Sequence, residues 1–475
     1  MTTTLDDRKR WIALSVVCIG TLMIVLDTTI VNVALPSIRA DLGFSETSLV
    51  WVINAYMLTF GGFLLLGGRL GDLYGHRRMF VAGLVVFTLA SLVCGLATTQ
   101  VVLIVARAVQ GFGGAIVDAI ALSLIINLFE TPDSRAKAMG VYGFVCAAGG
   151  SIGVLLGGLL THALSWHAIF LVNIPIGVLV TILCFTVLPA IRGEKLEGKL
   201  DIAGAVTVTV ALMLAVYGVV DGNRAGWTSL QTLGLLLAAF VLLVVFVLIE
   251  MRSTTPLMPL RLFRVRQVVA ANIIGVLWAA SMFAWFFISA LYMQLVLGYD
   301  PQQVGLAFLP SNVIMAIFSV GISAKLVNRF GFRGPLAIGL AFAAVGLALF
   351  TRAPVDGHFW VDVMPGMTLI GIGSGMALNP LILAAMSDVD ASETGVASGI
   401  VNTAFMMGGA LGLAVLASIA AAQTTSALAA GASEVAALTA GYRVAFASGA
   451  GFAACAGVLA FASIRAHAAR ATAAG

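Results

Sequence analysis

The chain has 475 residues, 61% of them hydrophobic and only 10% charged, against about 45–50% and 25% in an ordinary soluble domain. A mean hydropathy of +1.08 cannot be hidden in a globular core, because even a large domain leaves about a quarter of its unfolded surface in water. The solvent for most of the protein is therefore a lipid bilayer. A net charge of +4, with basic residues in short clusters between apolar runs, excludes an extended nucleic-acid footprint.

A membrane span needs about 20 mostly apolar residues. Breaking the chain at charged or Pro/Gly-rich punctuation predicts spans near 12–35, 48–68, 80–98, 101–128, 138–161, 167–189, 202–220, 230–250, 268–293, 303–326, 335–351, 361–386, 395–421 and 443–465. Before span 1, Asp6 to Arg10 leads into an apolar run too long for a cleavable signal, so span 1 is expected to remain as an anchor. Fourteen spans put both termini on one side. Twenty basic residues fall on that side and four, Arg39, Arg224, Arg352 and Arg443, on the other, so the positive-inside rule predicts a multi-pass protein of the cell membrane with both ends cytoplasmic. The five cysteines sit inside apolar runs without metal-ligand spacing and read as packing residues; no metal site is expected.

The halves repeat. Arg69-Leu-Gly-Asp-Leu-Tyr-Gly-His-Arg77 after span 2 matches Lys325-Leu-Val-Asn-Arg-Phe-Gly-Phe-Arg333 after span 10. Ala138, Gly140, Gly149, Gly150 and Gly153 in span 5 match Ala397, Gly399, Gly408, Gly409 and Gly412 in span 13, and Gly111-Phe-Gly113 in span 4 lies beside Gly371-Ile-Gly373 in span 12. Spans 2, 4 and 5 thus map onto 10, 12 and 13 in the same orientation. Parallel repeats are a transporter arrangement, with the substrate site at the repeat interface near the midplane. The expected fold is all-α: a six-helix bundle in 1–190, a two-helix insertion in 191–265, and a second six-helix bundle in 266–475.

The full chain resembles the fourteen-helix drug/proton antiporter branch of the major facilitator superfamily. Leu26-Asp-Thr-Thr-Ile-Val-Asn-Val-Ala-Leu-Pro36 is similar to its span 1 signature, and Gly68-Arg-Leu-Gly-Asp-Leu-Tyr-Gly-His-Arg-Arg78 to the superfamily's loop 2–3 motif. Arg107-Ala-Val-Gln-Gly111 resembles the span 4 motif, and Ser165 to Gly177 the segment entering span 6. The resemblance implies a proton-coupled antiporter that exports amphiphilic, often cationic, drugs or toxic compounds, driven by the proton gradient without a cofactor. The nearest rival is a dedicated exporter of one endogenous metabolite, such as an antibiotic, siderophore or amino acid. A membrane-bound enzyme or a non-transporting sensor is the rival from another class.

Only two acids fall well inside a span, Asp27 and Asp118, and a charged Asp at a helix centre costs about 2.5–3.5 kcal/mol on insertion scales. Such an acid can gain and lose a proton as its access alternates, which proton coupling requires. The competing reading of Asp27 is a carboxyl that only hydrogen-bonds a neighbouring helix. Arg107 is the one basic residue inside a span, at a depth matching that of Asp27, and is expected to hold Asp27 charged in one state and release it in another; a fixed structural ion pair is the alternative. Asp118 lies 11 residues beyond Arg107, a net rotation of about 20°, so Asp118, Arg107, Gly111 and Gly114 share a face, as in a cavity lining or a close helix contact. Asp118 stands where the resembled branch has an apolar residue, and reads either as a second proton or cation site or as a carboxyl hydrogen-bonded within the bundle.

The expected substrate cavity comprises Asp27, Arg107, Gln110, Gly111, Gly114, Asp118, Phe405 and Met406, the last two standing where related chains often carry Arg and Gln. A Met at position 406 is more often a simple packing residue, which is the competing reading. Gly68, Arg69, Gly71, Asp72, Gly75, Arg77 and Arg78 read as a gate, weaker in the second copy where Asn328 replaces Asp72. Gly149, Gly150, Gly153, Gly157 and Gly158 form the span 5 antiporter motif, in which Val154 replaces the usual Pro, and are expected to pack closely. Gly193 to Lys199 spells GxxxxGK, but Leu200 replaces the Ser/Thr and no strand precedes it, so no ATP site is expected. The five histidines, at loops or span ends, offer no facing pair for haem, and no HExxH or GxSxG occurs. An enzyme is not expected.

Overall fold

The computed structural model describes residues 7–129, 131–188, 200–253, 256–390 and 394–465. The GxxxxGK segment and His467 lie outside the described residues. Fourteen helices there are long and apolar enough to cross a membrane: α1 (Asp7–Leu42), α2 (Glu46–Tyr74), α3 (His76–Gly95), α4 (Gln100–Leu128), α5 (Lys137–Ala163), α6 (Ala168–Val187), α7 (Ile202–Gly222), α8 (Leu230–Arg252), α9 (Arg266–Val296), α10 (Pro301–Ser319), α11 (Arg333–Phe350), α12 (Phe359–Met386), α13 (Gly395–Ala429) and α14 (Glu434–Ser463). No strand occurs among the described residues.

Each predicted span falls on one of these helices, yet several helices outrun it. An apolar count measures the thickness of the hydrocarbon, whereas a helix ends where its backbone finds a cap. Thr99 accepts from the Val102 N–H at 3.3 Å to open α4, Ser229 from Thr232 at 3.1 Å to open α8, and Asp300 and Gln303 form a reciprocal box ahead of α10. The expected start of span 14 at 443 is corrected to Glu434, where Ser433 caps the helix. Arg443 therefore lies within α14, donating from Nε to the Ala353 carbonyl at 2.8 Å. Helix α10 continues through a π-helical turn at Ile317–Ile322 into Ser323–Phe330.

The sequence repeat is a repeat of contacts. Gly75 and Gly331, matched in the two loop motifs, both take positive φ, 95° and 72°, to turn the chain after α2 and after the extension of α10. A Cβ on Gly111 would lie 2.3 Å from the Tyr56 carbonyl of α2, and one on Gly371 would lie 2.6 Å from the Ser311 carbonyl of α10. Likewise a Cβ on Gly113 would lie 2.7 Å from the Phe87 amide of α3, and one on Gly373 2.7 Å from the Ala343 amide of α11. In each half, then, one Gly-x-Gly lets a central helix cross two neighbours backbone to backbone.

The halves meet along two seams. On one, a Cβ on Gly158 of α5 would lie 2.5 Å from the Pro301 carbonyl, and Gly305 of α10 closes on the Val154 carbonyl at 2.9 Å. On the other, Asn54 of α2 donates to the Ala410 carbonyl of α13 at 2.9 Å. A further bond joins Gln294 of α9 to the Val33 carbonyl of α1 at 2.9 Å. It lies toward the membrane face opposite the termini, called here the distal face. The insertion α7–α8 packs beside α2 and α13, through Thr209 against Gly62 and Ser418 onto the Val219 carbonyl at 3.0 Å. Helix α8 is the least enclosed: Leu230, Leu237 and Phe240 are 90%, 63% and 63% exposed, a surface only lipid can cover.

Candidate functional site: an enclosed charge cluster in the first half

Asp27 is fully buried near the middle of α1, and Arg107 is 1% exposed on α4. The Arg107 guanidinium donates to Asp27 Oδ2 at 2.5 Å, and through the same nitrogen to Gln110 Oε1 at 2.6 Å. Gln110 returns its amide to Asp27 Oδ1 at 2.7 Å and to Ser91 Oγ of α3 at 2.7 Å, while Asn173 of α6 donates to Asp27 Oδ1 at 3.1 Å. Arg107 Nε donates to the Val52 carbonyl at 2.9 Å. The guanidinium lies 4.4 Å from the Tyr56 ring centroid and 5.6 Å from that of Phe170.

Five helices thus converge on one ion pair, with both carboxylate oxygens occupied. Removing one partner of a buried pair costs about 3–5 kcal/mol, and this cluster meets that demand with neutral amide donors and aromatic faces. The structure unites Asp27, Arg107 and Gln110, and adds Ser91, Asn173, Tyr56 and Cys94, whose thiol donates to Gln110 Oε1 at 3.7 Å. Cys94 is therefore more than the packing residue its apolar run suggested. Asn173 had a readable signal: an amide inside an apolar run needs a buried partner.

Gly111 and Gly114, expected on a cavity-lining or contact face, are contact residues. Gly111 lies under Tyr56 and Thr59, and Gly114 under the Tyr56 hydroxyl and Phe60. Asp27, Arg107 and Gln110 are likewise sealed from any cavity in this conformation. Asp118 stands apart, about 16 Å along α4 toward the terminal face, half-buried, and accepts from the Tyr142 hydroxyl of α5 at 3.4 Å. Phe405 is packed between Trp278 and Phe283, with centroids at 5.2 and 5.9 Å. Met406 covers Gly61 of α2 at the seam between halves.

In the loop motif, Asp72 meets His76 at 3.3 Å. Arg77 donates to the Leu188 and Phe185 carbonyls at 3.1 and 3.0 Å, closing the end of α6. Its counterpart Arg333 stacks on Phe461 near the end of α14, 4.1 Å from the ring centroid. Gly68 has open space around it, whereas Gly71 packs on Ile120 of α4. In α5, Gly149, Gly153 and Gly157 lie along α1 against Val25, Leu26 and Ile30; Gly158 reaches α10, and Gly150 faces open space.

Two parallel-repeat bundles around polar groups enclosed within the membrane define a transporter. The chain belongs to the Major Facilitator Superfamily, whose family model matches residues 17–413. It is 40% identical over 407 residues to a cephamycin export protein of Amycolatopsis lactamdurans, covering 85% of this chain and 84% of that one. A puromycin resistance protein of Streptomyces alboniger is 39% identical over 425 residues, covering 89% and 84%. A multidrug resistance protein of Mycobacterium tuberculosis is 35% identical over 424 residues, covering 89% and 78%. Among solved structures, a bacterial homologue of the human lysosomal transporter Spinster, inward-facing and unoccupied, superposes with a TM-score of 0.69 at 15% identity, covering 97% of this chain and 98% of that chain. The protein is a multi-pass membrane transporter, not an enzyme.

Proposed function

We propose that the protein is a proton-coupled antiporter of the cell membrane that exports amphiphilic, predominantly cationic, toxic compounds from the terminal face to the distal face. The names of its relatives, for export or resistance, support the direction. The bias of 20 basic residues to four supports cytoplasmic termini. The observation that carries the coupling is the enclosed Asp27–Arg107 pair.

A proton taken up by Asp27 removes the charge that holds Arg107. The guanidinium keeps the Val52 carbonyl, Gln110 and the Tyr56 face, so it is not left without partners. Helix α1 then loses its ionic tie to α4 and keeps only the neutral Gln110 bond. Six residues further along α1, Val33 accepts the Gln294 bond from the second half, so movement of α1 links protonation to closure of the distal side. The bundles 1–190 and 266–475 rock about the α5–α10 and α2–α13 seams, while 191–265 rides with them. One proton moving through 100 mV is worth about 2.3 kcal/mol, or roughly 50-fold accumulation, and no cofactor or ATP enters the cycle. Asp118, half-buried toward the terminal side and accepting from Tyr142, serves as a second cation or proton site.

Ethidium movement in proteoliposomes under an imposed pH gradient tests this: transport by the wild type and none by Asp27→Asn is expected. Transport by Asp27→Asn equal to wild type sinks the coupling role. A second reading, a dedicated exporter of one natural product, is favoured by the two relatives named for single antibiotics. A competition screen with one sharp substrate would select it.

A further inference from the structure

The insertion α7–α8 leaves a cavity of about 440 Å³ against the first half at the distal face, its Ile104 wall one helical turn from Arg107 on α4. One wall is the capped start of α2, where the hydroxyls of Ser45, Thr47 and Ser48 gather, and the far wall is the end of α7. Trp51 and Tyr217 face each other across it with ring centroids 6.3 Å apart. Such amphipathic rings sit where hydrocarbon gives way to headgroups. Between these rings and the charged rim the lining is apolar, through Ile104 and Val220. The flanking α4 surface bares Val101 and Val105, 69% and 56% exposed.

The rim carries two opposite charges one helical turn apart, Asp221 and Arg224, which form no ion pair with each other among the described residues. Arg224 is exposed and has no partner among them, while Asp221 accepts at Oδ2 from Gln231 at 2.7 Å and keeps Oδ1 free. A cation and an anion that leave each other unpaired suit a ligand bearing both signs. We propose that this cavity binds the headgroup of a zwitterionic phospholipid of the distal leaflet. The phosphate lies on Arg224 and the serine hydroxyls, the ammonium on Asp221 and the aromatic faces, and an acyl chain descends between α4 and α7.

Native mass spectrometry of the delipidated full-length protein in detergent tests it, titrated with dioleoylphosphatidylethanolamine, dioleoylphosphatidylglycerol and soluble glycerophosphoethanolamine. The ethanolamine lipid is expected to bind at least about tenfold more tightly than the other two, and about tenfold more weakly to Arg224→Gln and to Asp221→Asn. Val220→Trp, which fills the cavity, should abolish the preference. Equal binding of the two lipids, undiminished binding by Arg224→Gln, or binding of the soluble headgroup as tight as that of the lipid would each overturn the proposal. The assay reads no transport, so its outcome is independent of proton coupling.

Discussion

The two halves share a frame and differ in what they enclose. Around the first Gly-x-Gly, Arg107 and Gln110 stand four residues and one residue before the crossing Gly111 and gather Asp27, Ser91 and Asn173. Around the second, the matching positions are Met367 and Ile370, buried at 0% and 3% in an apolar core. Identical helix crossings therefore hold an ion pair in one half and hydrocarbon in the other. The glycines build the geometry; whether that geometry can respond to a proton depends on two side chains beside them.

The sharpest way to break the contrast is to remove one charge. Arg107→Met, which writes the second half's residue into the first, leaves Asp27 buried without its cation. A destabilisation of about 3–5 kcal/mol is expected, read as a lowered unfolding midpoint in detergent. Pairing it with Asp27→Leu should recover most of that stability while gradient-driven transport stays absent, since an apolar replacement of a buried pair is often neutral or better. The crossings themselves come next: Gly111→Ala and Gly371→Ala each force a Cβ onto a carbonyl and should cost about 1–3 kcal/mol. Only Gly111→Ala should also impair transport, because it displaces Tyr56 from Arg107. Of the loop arginines, Arg77→Ala gives up two carbonyl bonds and should cost about 1–2 kcal/mol. Arg333→Ala gives up a ring contact and should cost about 0.5–1 kcal/mol. The smallest change is expected from Tyr142→Phe, about 0.5–1 kcal/mol for one long hydrogen bond to Asp118.

The frame was legible because lipid imposes it: every span announces itself as an apolar run, and the repeated glycines announce which helices cross. The meeting of Asp27 and Arg107 was legible from matched depth. Their other partners were not, since depth says how far along a helix a residue lies and nothing about which helix stands next to it. Ser91 and Asn173 enter through the packing of α3 against α4 and of α6 against α1, which no periodicity encodes. The same gap explains Gly111 and Gly114. Angular arithmetic placed them on Arg107's face correctly, but only the fold shows that α2, rather than open space, occupies that face. Phe405 and Met406 were separated in the same way, one facing its own half's aromatics and the other the seam.

Helix α8 carries a consequence of a different kind. Its uncharged stretch from Leu230 to residue 249 is about 30 Å long at 1.5 Å per residue, which equals the hydrocarbon thickness of a typical bilayer. Charge then follows at once with Glu250, 3% exposed and accepting the Met258 amide at 3.1 Å. A longer helix such as α1, with 36 residues, exceeds the hydrocarbon thickness and has length to spare. The barely enclosed α8 has no such slack. A thicker bilayer must either pinch locally around it or draw Glu250 inward, at fractions of a kcal/mol per ångström of mismatch. The peripheral hairpin is thus the part of the transporter whose fit to the membrane leaves little room for a change in thickness.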